Sequence, residues 1–192
     1  PDALVIYDDG FNYLTKMCFT NMRDAAFEMI QLAKKAGCTV AISSSDSTDR
    51  AEDYLSKGAD YVIAGEGEQT LLELAEYVVK KNGNINNING LIYLQEGNVV
   101  HTPKRENLRE LDTLPLPAWE LIDIEPYKKM WMEHKGFFSI NMATTRGCPF
   151  KCNWCAKPIY GNRYNSRSPE NVISEIKLLK EKFGVQHIWF AD

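Results

Sequence analysis

The chain has 192 residues with 44% hydrophobic and 25% charged side chains and a formal net charge of −4 at pH 7, a composition that excludes a disordered or collagen-like protein. No apolar run approaches the roughly 18 residues of a membrane span, so none is predicted. The acidic balance argues against a nucleic-acid binder, and since no basic-then-apolar leader is recognised, we expect a cytoplasmic protein.

Apolar runs alternate with helical periodicity in the first part of the chain. Strands are predicted at residues 3–8, 39–42 and 61–64, and helices at residues 21–36, 49–57 and 68–81. Asn21 is the predicted N-cap of the first helix, and residues 43–47 are predicted to be a polar loop. The alternation of strands and helices predicts a parallel α/β sheet.

The organisation changes after Gly83. Two apolar runs, 91–94 and 99–100, flank a turn and predict a β-hairpin. Four of the eight prolines fall within 103–127 and indicate a linker. A second α/β stretch follows, with a strand at 138–144, a helix at 169–183 capped by Ser168, and a strand at 187–191. The predicted organisation is a partial α/β domain (1–83), a hairpin extension (84–102), a linker (103–135) and a second α/β domain (136–192).

The two ends of the chain indicate that it belongs to a longer polypeptide. It starts at Pro1 and enters an apolar run almost at once, and it stops at Asp192 directly after another such run. Because natural proteins seldom begin and end on core strands, we expect a fragment, and we expect the isolated fragment to be catalytically inactive.

Charge is distributed unevenly along the chain. Residues 1–134 contain 13 basic and 22 acidic side chains, a net of −9, whereas residues 135–182 contain nine basic and three acidic side chains, a net of +6. The basic segment either forms a solvated surface or creates a positive electric field. Such a field would attract anionic ligands and offset the negative charge of a thiolate-bound cluster.

Three of the five cysteines lie within eight residues, at Cys148, Cys152 and Cys155. This crowding favours metal binding in a reducing compartment over a disulfide scaffold. Structural zinc normally needs four protein ligands, whereas three thiolates suit a [4Fe–4S] cluster with one iron open to a substrate or cofactor. A zinc site with distant ligands and a set of buried thiols remain the alternatives.

The C-x3-C-x-aromatic-C spacing after residues 144–147 resembles the motif of the radical S-adenosylmethionine (SAM) superfamily. The resemblance implies that the three cysteines hold a [4Fe–4S] cluster, that SAM chelates the open iron, and that an electron from the cluster cleaves SAM to methionine and a 5′-deoxyadenosyl radical. It also implies a small-molecule substrate and an electron donor of the flavodoxin or ferredoxin type. Contacts to SAM are implied for Gly147, Trp154, Arg163, Arg167 and Asp192, the last at the end of a barrel strand.

Residues 1–5, 58–72 and 114–119 resemble the cobalamin (B12)-binding domain that precedes the radical SAM barrel in one branch of that superfamily. Ligands of doubly wound sheets bind beyond the carboxyl ends of the strands. The resemblance therefore implies cobalamin contacts for Tyr7, Asp8, Ser43, Ser44, Ser45, Gly65 and Glu66. The sequence departs from the family where Ser43 and Ser44 replace a glycine pair, and it contains no Asp-x-His-x-x-Gly segment.

The expected fold is α/β: an incomplete doubly wound, Rossmann-like parallel sheet of the B12-binding type, followed by the start of a radical SAM (β/α) barrel. The expected function of the parent protein is reductive SAM cleavage for cobalamin-dependent methyl transfer or for a related radical cyclisation, such as that of the anaerobic magnesium-protoporphyrin ester cyclases. The alternative is a zinc- or cluster-binding interaction or regulatory module without catalysis.

Overall fold

The computed structural model describes residues 1–8, 18–80, 83–150 and 160–192. Contacts divide the chain into two compact units, with the boundary between Asn107 and Leu108. Residues 1–107 make up most of unit 1, and residues 108–150 and 161–192 belong to unit 2. None of the helices described in these ranges combines the length and the apolar character needed to cross a bilayer.

Unit 1 contains a five-stranded mixed sheet. Its strands are β1 (Ala3–Tyr7), β2 (Thr39–Ser43), β3 (Tyr61–Ile63), β4 (Leu91–Gln95) and β5 (Asn98–His101). They lie side by side in sequence order. The pairs β1–β2 and β2–β3 are parallel, which confirms the predicted parallel sheet, and the predicted hairpin β4–β5 continues it in antiparallel register.

The α-helices that the described part of unit 1 places beside this sheet are α1 (Phe19–Lys35), α2 (Ser45–Asp49), α3 (Ala51–Ser56) and α4 (Glu68–Lys80). The predicted cap Asn21 is wrong, because α1 begins earlier and has Cys18 at its N-cap. The polar loop predicted at 43–47 is also wrong. Ser43 ends β2 and a short helix follows, because a Ser44–Ser47 capping box satisfies backbone groups that apolar periodicity cannot reveal.

Side chains of the sheet alternate between two cores, as the two-residue period of a strand requires. Val40, Ile42 and Val62 pack with α1 and α3 on one face. Ala41 and Ile63 pack with α4 on the other face. Burying an isoleucine or valine side chain contributes about 1.5–3 kcal/mol. Helices on both faces of a largely parallel sheet make unit 1 doubly wound.

Unit 2 is built around a parallel pair of strands. Its elements are α5 (Glu125–Lys135), β6 (Ser139–Met142), β7 (Thr145–Arg146), β8 (Asn165–Ser166), α6 (Pro169–Phe183) and β9 (His187–Phe190). β6 pairs with β9 in parallel register, and β7 pairs with β8 in antiparallel register. The β6–α6–β9 sequence is one βαβ unit, the repeating element of a (β/α) barrel, here as an open sheet.

The core of unit 2 lies between this sheet and α6. Phe138, Met142, Leu179 and Val185 are buried there. Ser168 caps α6 by accepting a hydrogen bond from a backbone N–H, as predicted. The helix α5 was not predicted within the proline-containing stretch, although Pro in the first turn of a helix is compatible with helical geometry.

Candidate functional site

The chain leaves β6 through residues 143–147, called here the approach segment because it leads to Cys148. The carboxylate of Asp192, just beyond β9, accepts three hydrogen bonds from this segment. The distances are 2.6 Å from the Thr144 backbone N–H, 2.6 Å from the Thr144 hydroxyl and 2.9 Å from the Thr145 backbone N–H. Burial alone would raise the pKa of Asp192, but these hydrogen bonds outweigh it and lower the pKa.

Arg167, just before α6, holds the approach segment from another side. Its Nη1 donates to the Ala143 carbonyl oxygen at 3.0 Å, and its backbone N–H donates to the Thr144 carbonyl oxygen at 2.9 Å. Nη1 also lies 2.5 Å from Glu175 Oε2. The Arg167 guanidinium, predicted to contact SAM, is therefore bound by protein groups in this structure.

Cys148 follows Gly147, which has a φ of 82° that favours glycine. The Cys148 backbone N–H donates to the Gly161 carbonyl oxygen at 3.3 Å, and its thiol is free and half-buried. Among the described residues no three His, Cys, Asp or Glu side chains form a metal site. The predicted ligands Cys152 and Cys155 and the predicted SAM contact Trp154 lie outside those residues. Arg163 is described and exposed.

A cavity of about 270 Å³ borders the approach segment within unit 2. Residues 111–119, the end of β6 and one side of α6 line it. Glu175 is fully buried at its wall and accepts a hydrogen bond from Trp119 Nε1 at 3.0 Å. Sequence reasoning missed this buried carboxylate. The signal was available, because Glu175 shares the apolar side of a predicted helix with Val172 and Leu179.

The residues predicted to contact cobalamin meet at one edge of the unit 1 sheet, because β1, β2 and β3 are adjacent and parallel. Ser43, Ser44 and Glu66 are buried there, whereas Tyr7 is 49% exposed. The Asp8 backbone N–H donates to the Ser43 carbonyl oxygen at 2.9 Å. These contacts join the ends of β1 and β2.

A further glycine makes this edge compact. A Cβ added at Gly67 would lie 3.2 Å from Tyr7 Cε2 and 3.3 Å from Ser43 Oγ. Gly65 has a φ of 86° and needs glycine for its backbone conformation. Ser45, half-buried, is the first residue of α2. The close packing of Gly67 against the ends of two strands could not be predicted from the spacing of residues in the sequence.

A charged cluster that the sequence did not reveal anchors α2, the short helix after β2. Asp46 accepts hydrogen bonds from Arg23 Nε and from the Tyr54 hydroxyl, both at 2.7 Å. Burial alone would raise the pKa of Asp46, but the bonds from Arg23 and Tyr54 outweigh it and lower the pKa. Burial and the bond to Asp46 raise the pKa of Tyr54. The cluster joins α1, α2 and α3 beside the predicted cobalamin edge.

Comparison with known proteins gives matches to both units. The model of the radical SAM superfamily matches residues 142–192. An uncharacterized methyltransferase of Pyrococcus horikoshii is 34% identical over 134 residues, which are 69% of this chain and 28% of the relative. The anaerobic magnesium-protoporphyrin IX monomethyl ester cyclase of Rubrivivax gelatinosus is 33% identical over 136 residues, 69% of this chain and 24% of the relative.

A solved structure confirms the predicted fold. The cobalamin-dependent SAM radical enzyme OxsB, with aqua-cobalamin and SAM bound, aligns with a TM-score of 0.70 at 20% identity over 100% of this chain and 25% of that one. The chain thus spans about a quarter of the length of each of these three proteins. The match to the radical SAM superfamily lies in residues 142–192, the strand–helix–strand part of unit 2 with the cysteine motif.

Proposed function

We propose that the protein containing this chain reductively cleaves SAM and uses the resulting radical for cobalamin-dependent methyl transfer or a related cyclisation. One observation carries the proposal. In the region that matches the radical SAM superfamily, the approach segment leads to Cys148, the first residue of the three-cysteine motif, whose thiol is free and half-buried. A methyltransferase and a cyclase among the relatives support both outcomes.

The donor chemistry of the motif fits an iron–sulfur cluster. Cys148, Cys152 and Cys155 would hold a [4Fe–4S] cluster, and three thiolates leave one iron open. When bound, the cluster and SAM supply the radical chemistry, and the protein supplies binding and orientation. Gly147 allows the backbone to turn into the motif. Contacts of Trp154 and Arg163 with SAM remain predictions.

Further SAM contacts are proposed at Gly147 and at the two residues that hold the approach segment, Arg167 and Asp192. Gly147, Arg167 and Asp192 surround the entrance to the motif, and positive charge from Arg163 and Arg167 suits a carboxylate ligand. Arg167 is held by Ala143 and Glu175, so it would meet SAM only with a donor that these groups leave available.

We propose that the edge formed by Tyr7, Ser43 and Glu66 binds cobalamin in the intact protein. Its location beyond the carboxyl ends of parallel strands supports this, as does the cobalamin bound by OxsB. Ser44 fits less well as a direct contact. Its hydroxyl accepts a hydrogen bond from the Ser47 N–H at 2.9 Å and so already caps α2.

The partners of the intact protein are part of the same proposal. The substrate is a small molecule rather than a nucleic acid, a flavodoxin or ferredoxin supplies the electron, and the protein works in the cytoplasm. The domain limits 1–83, 84–102, 103–135 and 136–192 also remain proposals.

The test is anaerobic iron–sulfide reconstitution of the full-length polypeptide that carries these residues. We expect about four iron atoms per chain, 5′-deoxyadenosine on reduction with dithionite and SAM, and spectral binding of added cobalamin. The matched control is Cys152→Ala, which should lose both the cluster and the product. Stoichiometric zinc without iron would favour the interaction module, and a cluster without product above the control would favour a regulatory domain.

A further inference from the structure

We propose that Asp192 is a positioning residue for the cysteine motif: its carboxylate fixes the approach segment so that Cys148 enters the cluster site in one orientation. This inference rests on the proposed function, because it assigns the motif to a cluster. The family resemblance implies that Asp192 contacts SAM, whereas in this structure its carboxylate binds Thr144 and Thr145 of the approach segment.

The first support is the geometry at the carboxylate. Oδ1 accepts from the backbone N–H groups of Thr144 and Thr145, and Oδ2 accepts from the Thr144 hydroxyl. Both oxygens are therefore used by the approach segment. Hydrogen bonds to an ionised acceptor are roughly twice as strong as neutral ones. The carboxylate therefore holds the approach segment more strongly than the neutral hydrogen bonds of an ordinary turn would.

The second support is that the remaining backbone of the segment is also held. The Ala143 and Thr144 carbonyl oxygens accept from Arg167. Thr145 and Arg146 pair with β8. Cys148 itself donates its backbone N–H to Gly161. Asp192 thus binds backbone N–H groups of the approach segment, and Arg167 binds its carbonyl oxygens.

The third support is the position of Asp192 next to the sheet. The backbone N–H of Ala191 donates to the Met142 carbonyl oxygen at 2.9 Å, which extends the β6–β9 pairing up to the carboxylate. The carboxylate therefore lies directly beyond a strand whose end is hydrogen-bonded to β6. A group on a regular element can hold a ligand loop more tightly than one on another loop.

The experiment compares five variants of the full-length polypeptide that carries these residues. Asp192→Ala removes the acceptor, and Asp192→Asn keeps one oxygen. Thr144→Val removes only the hydroxyl, and Thr144→Ser restores it. Glu181→Gln, an exposed carboxylate on α6, is the matched charge control.

Three readouts are taken for each variant. They are the rate of iron loss from the reconstituted cluster to a chelator, the affinity for SAM, and hydrogen exchange of the Thr144 and Thr145 amides in the metal-free protein. The thermal midpoint of unfolding shows whether a variant is merely less stable.

We expect Asp192→Ala to accelerate iron loss about tenfold and to speed exchange of both amides, with a smaller effect for Asp192→Asn. Thr144→Val should accelerate iron loss less, Thr144→Ser should restore the wild-type rate, and Glu181→Gln should match the wild type. The thermal midpoint should change little, since the site is at the surface.

The inference is overturned if Asp192→Ala leaves iron loss and amide exchange unchanged, or if it weakens SAM binding alone, which would favour the direct SAM contact. A wild-type protein that holds no iron would instead overturn the proposed function and, with it, the assignment to a cluster. Amide exchange in that same metal-free protein would still show whether Asp192 holds the segment.

Discussion

Both units place a polar segment directly after a parallel strand, but they hold that segment in different ways. After β2, Ser44 and Ser47 cap α2 through bonds between residues three apart in sequence. After β6, the approach segment is held by Arg167 and Asp192, which are 24 to 48 residues further along the chain. The first segment is shaped mainly by its own residues and the second by distant ones.

This difference indicates how each region would respond to change. A locally capped helix end loses one or two bonds when a side chain is removed, and its neighbours stay in place. A segment fixed by distant side chains depends on the burial and charge of those side chains. The variants below test this contrast in order of decreasing expected effect.

The largest effect is expected for Arg167→Ala. Glu175 is 1% exposed, so removing Arg167 leaves a buried carboxylate without its cation, at a cost of about 3–5 kcal/mol. All four tryptophans lie between positions 119 and 189, so denaturation followed by tryptophan fluorescence reports on this part of the chain.

The control for that variant is Arg163→Ala, an exposed arginine nearby, which should unfold like the wild type. The double variant Arg167→Leu/Glu175→Leu should regain most of the lost stability. Equal unfolding curves for Arg167→Ala and Arg163→Ala would show that the ion pair does not support unit 2.

Tyr54→Phe should have an intermediate effect of about 2 kcal/mol, because it removes one hydrogen bond to the Asp46 carboxylate. The lowered pKa of Asp46 stabilises the fold above the unfolded value of about 4, and this contribution is lost as the pH falls. The difference between variant and wild type should therefore shrink below about pH 4.

Circular dichroism melts at several pH values measure this difference. Tyr127→Phe, at a tyrosine that is 62% exposed, is the control and should melt like the wild type. If the stability difference between Tyr54→Phe and wild type stays constant across the acid range, the contribution of the Tyr54 hydroxyl does not depend on the charge of Asp46.

Ser44→Ala should have the smallest effect, about 1 kcal/mol, because it removes only the side-chain cap of α2. Ser45→Ala, one residue further and inside the helix, is the matched control. Thermal melts distinguish the two variants, and equal melting of Ser44→Ala and Ser45→Ala would show that the side-chain cap does not stabilise α2.

Patterns within a few residues of one another were predictable from the sequence. The strands β1 to β3, the hairpin and the Ser168 cap follow from period, turn residues and capping chemistry. The Asn21 cap was wrong, because α1 already begins at Phe19. The loop at 43–47 was wrong, because the side chains of Ser44 and Ser47 cap a short helix there.

The candidate site was predictable in its residue types and less so in its contacts. The position of Cys148 after a strand follows from the strand predicted at residues 138–144. That Asp192 reaches Thr144, and that Arg167 reaches Glu175, depends on how β6, α6 and β9 are arranged in space. No periodicity within the sequence encodes these pairs, although an acidic residue on the apolar side of a helix signals a buried partner.

The bonds between Asp192 and Thr144 join positions 48 residues apart. The shape of the approach segment is consequently a property of the finished βαβ unit and is absent from the cysteine motif alone. A polypeptide designed to stop before β9 would retain every motif cysteine and yet lose the carboxylate that orders the backbone ahead of them. Asp192 therefore sets a lower limit on any truncated version intended to keep this entrance intact.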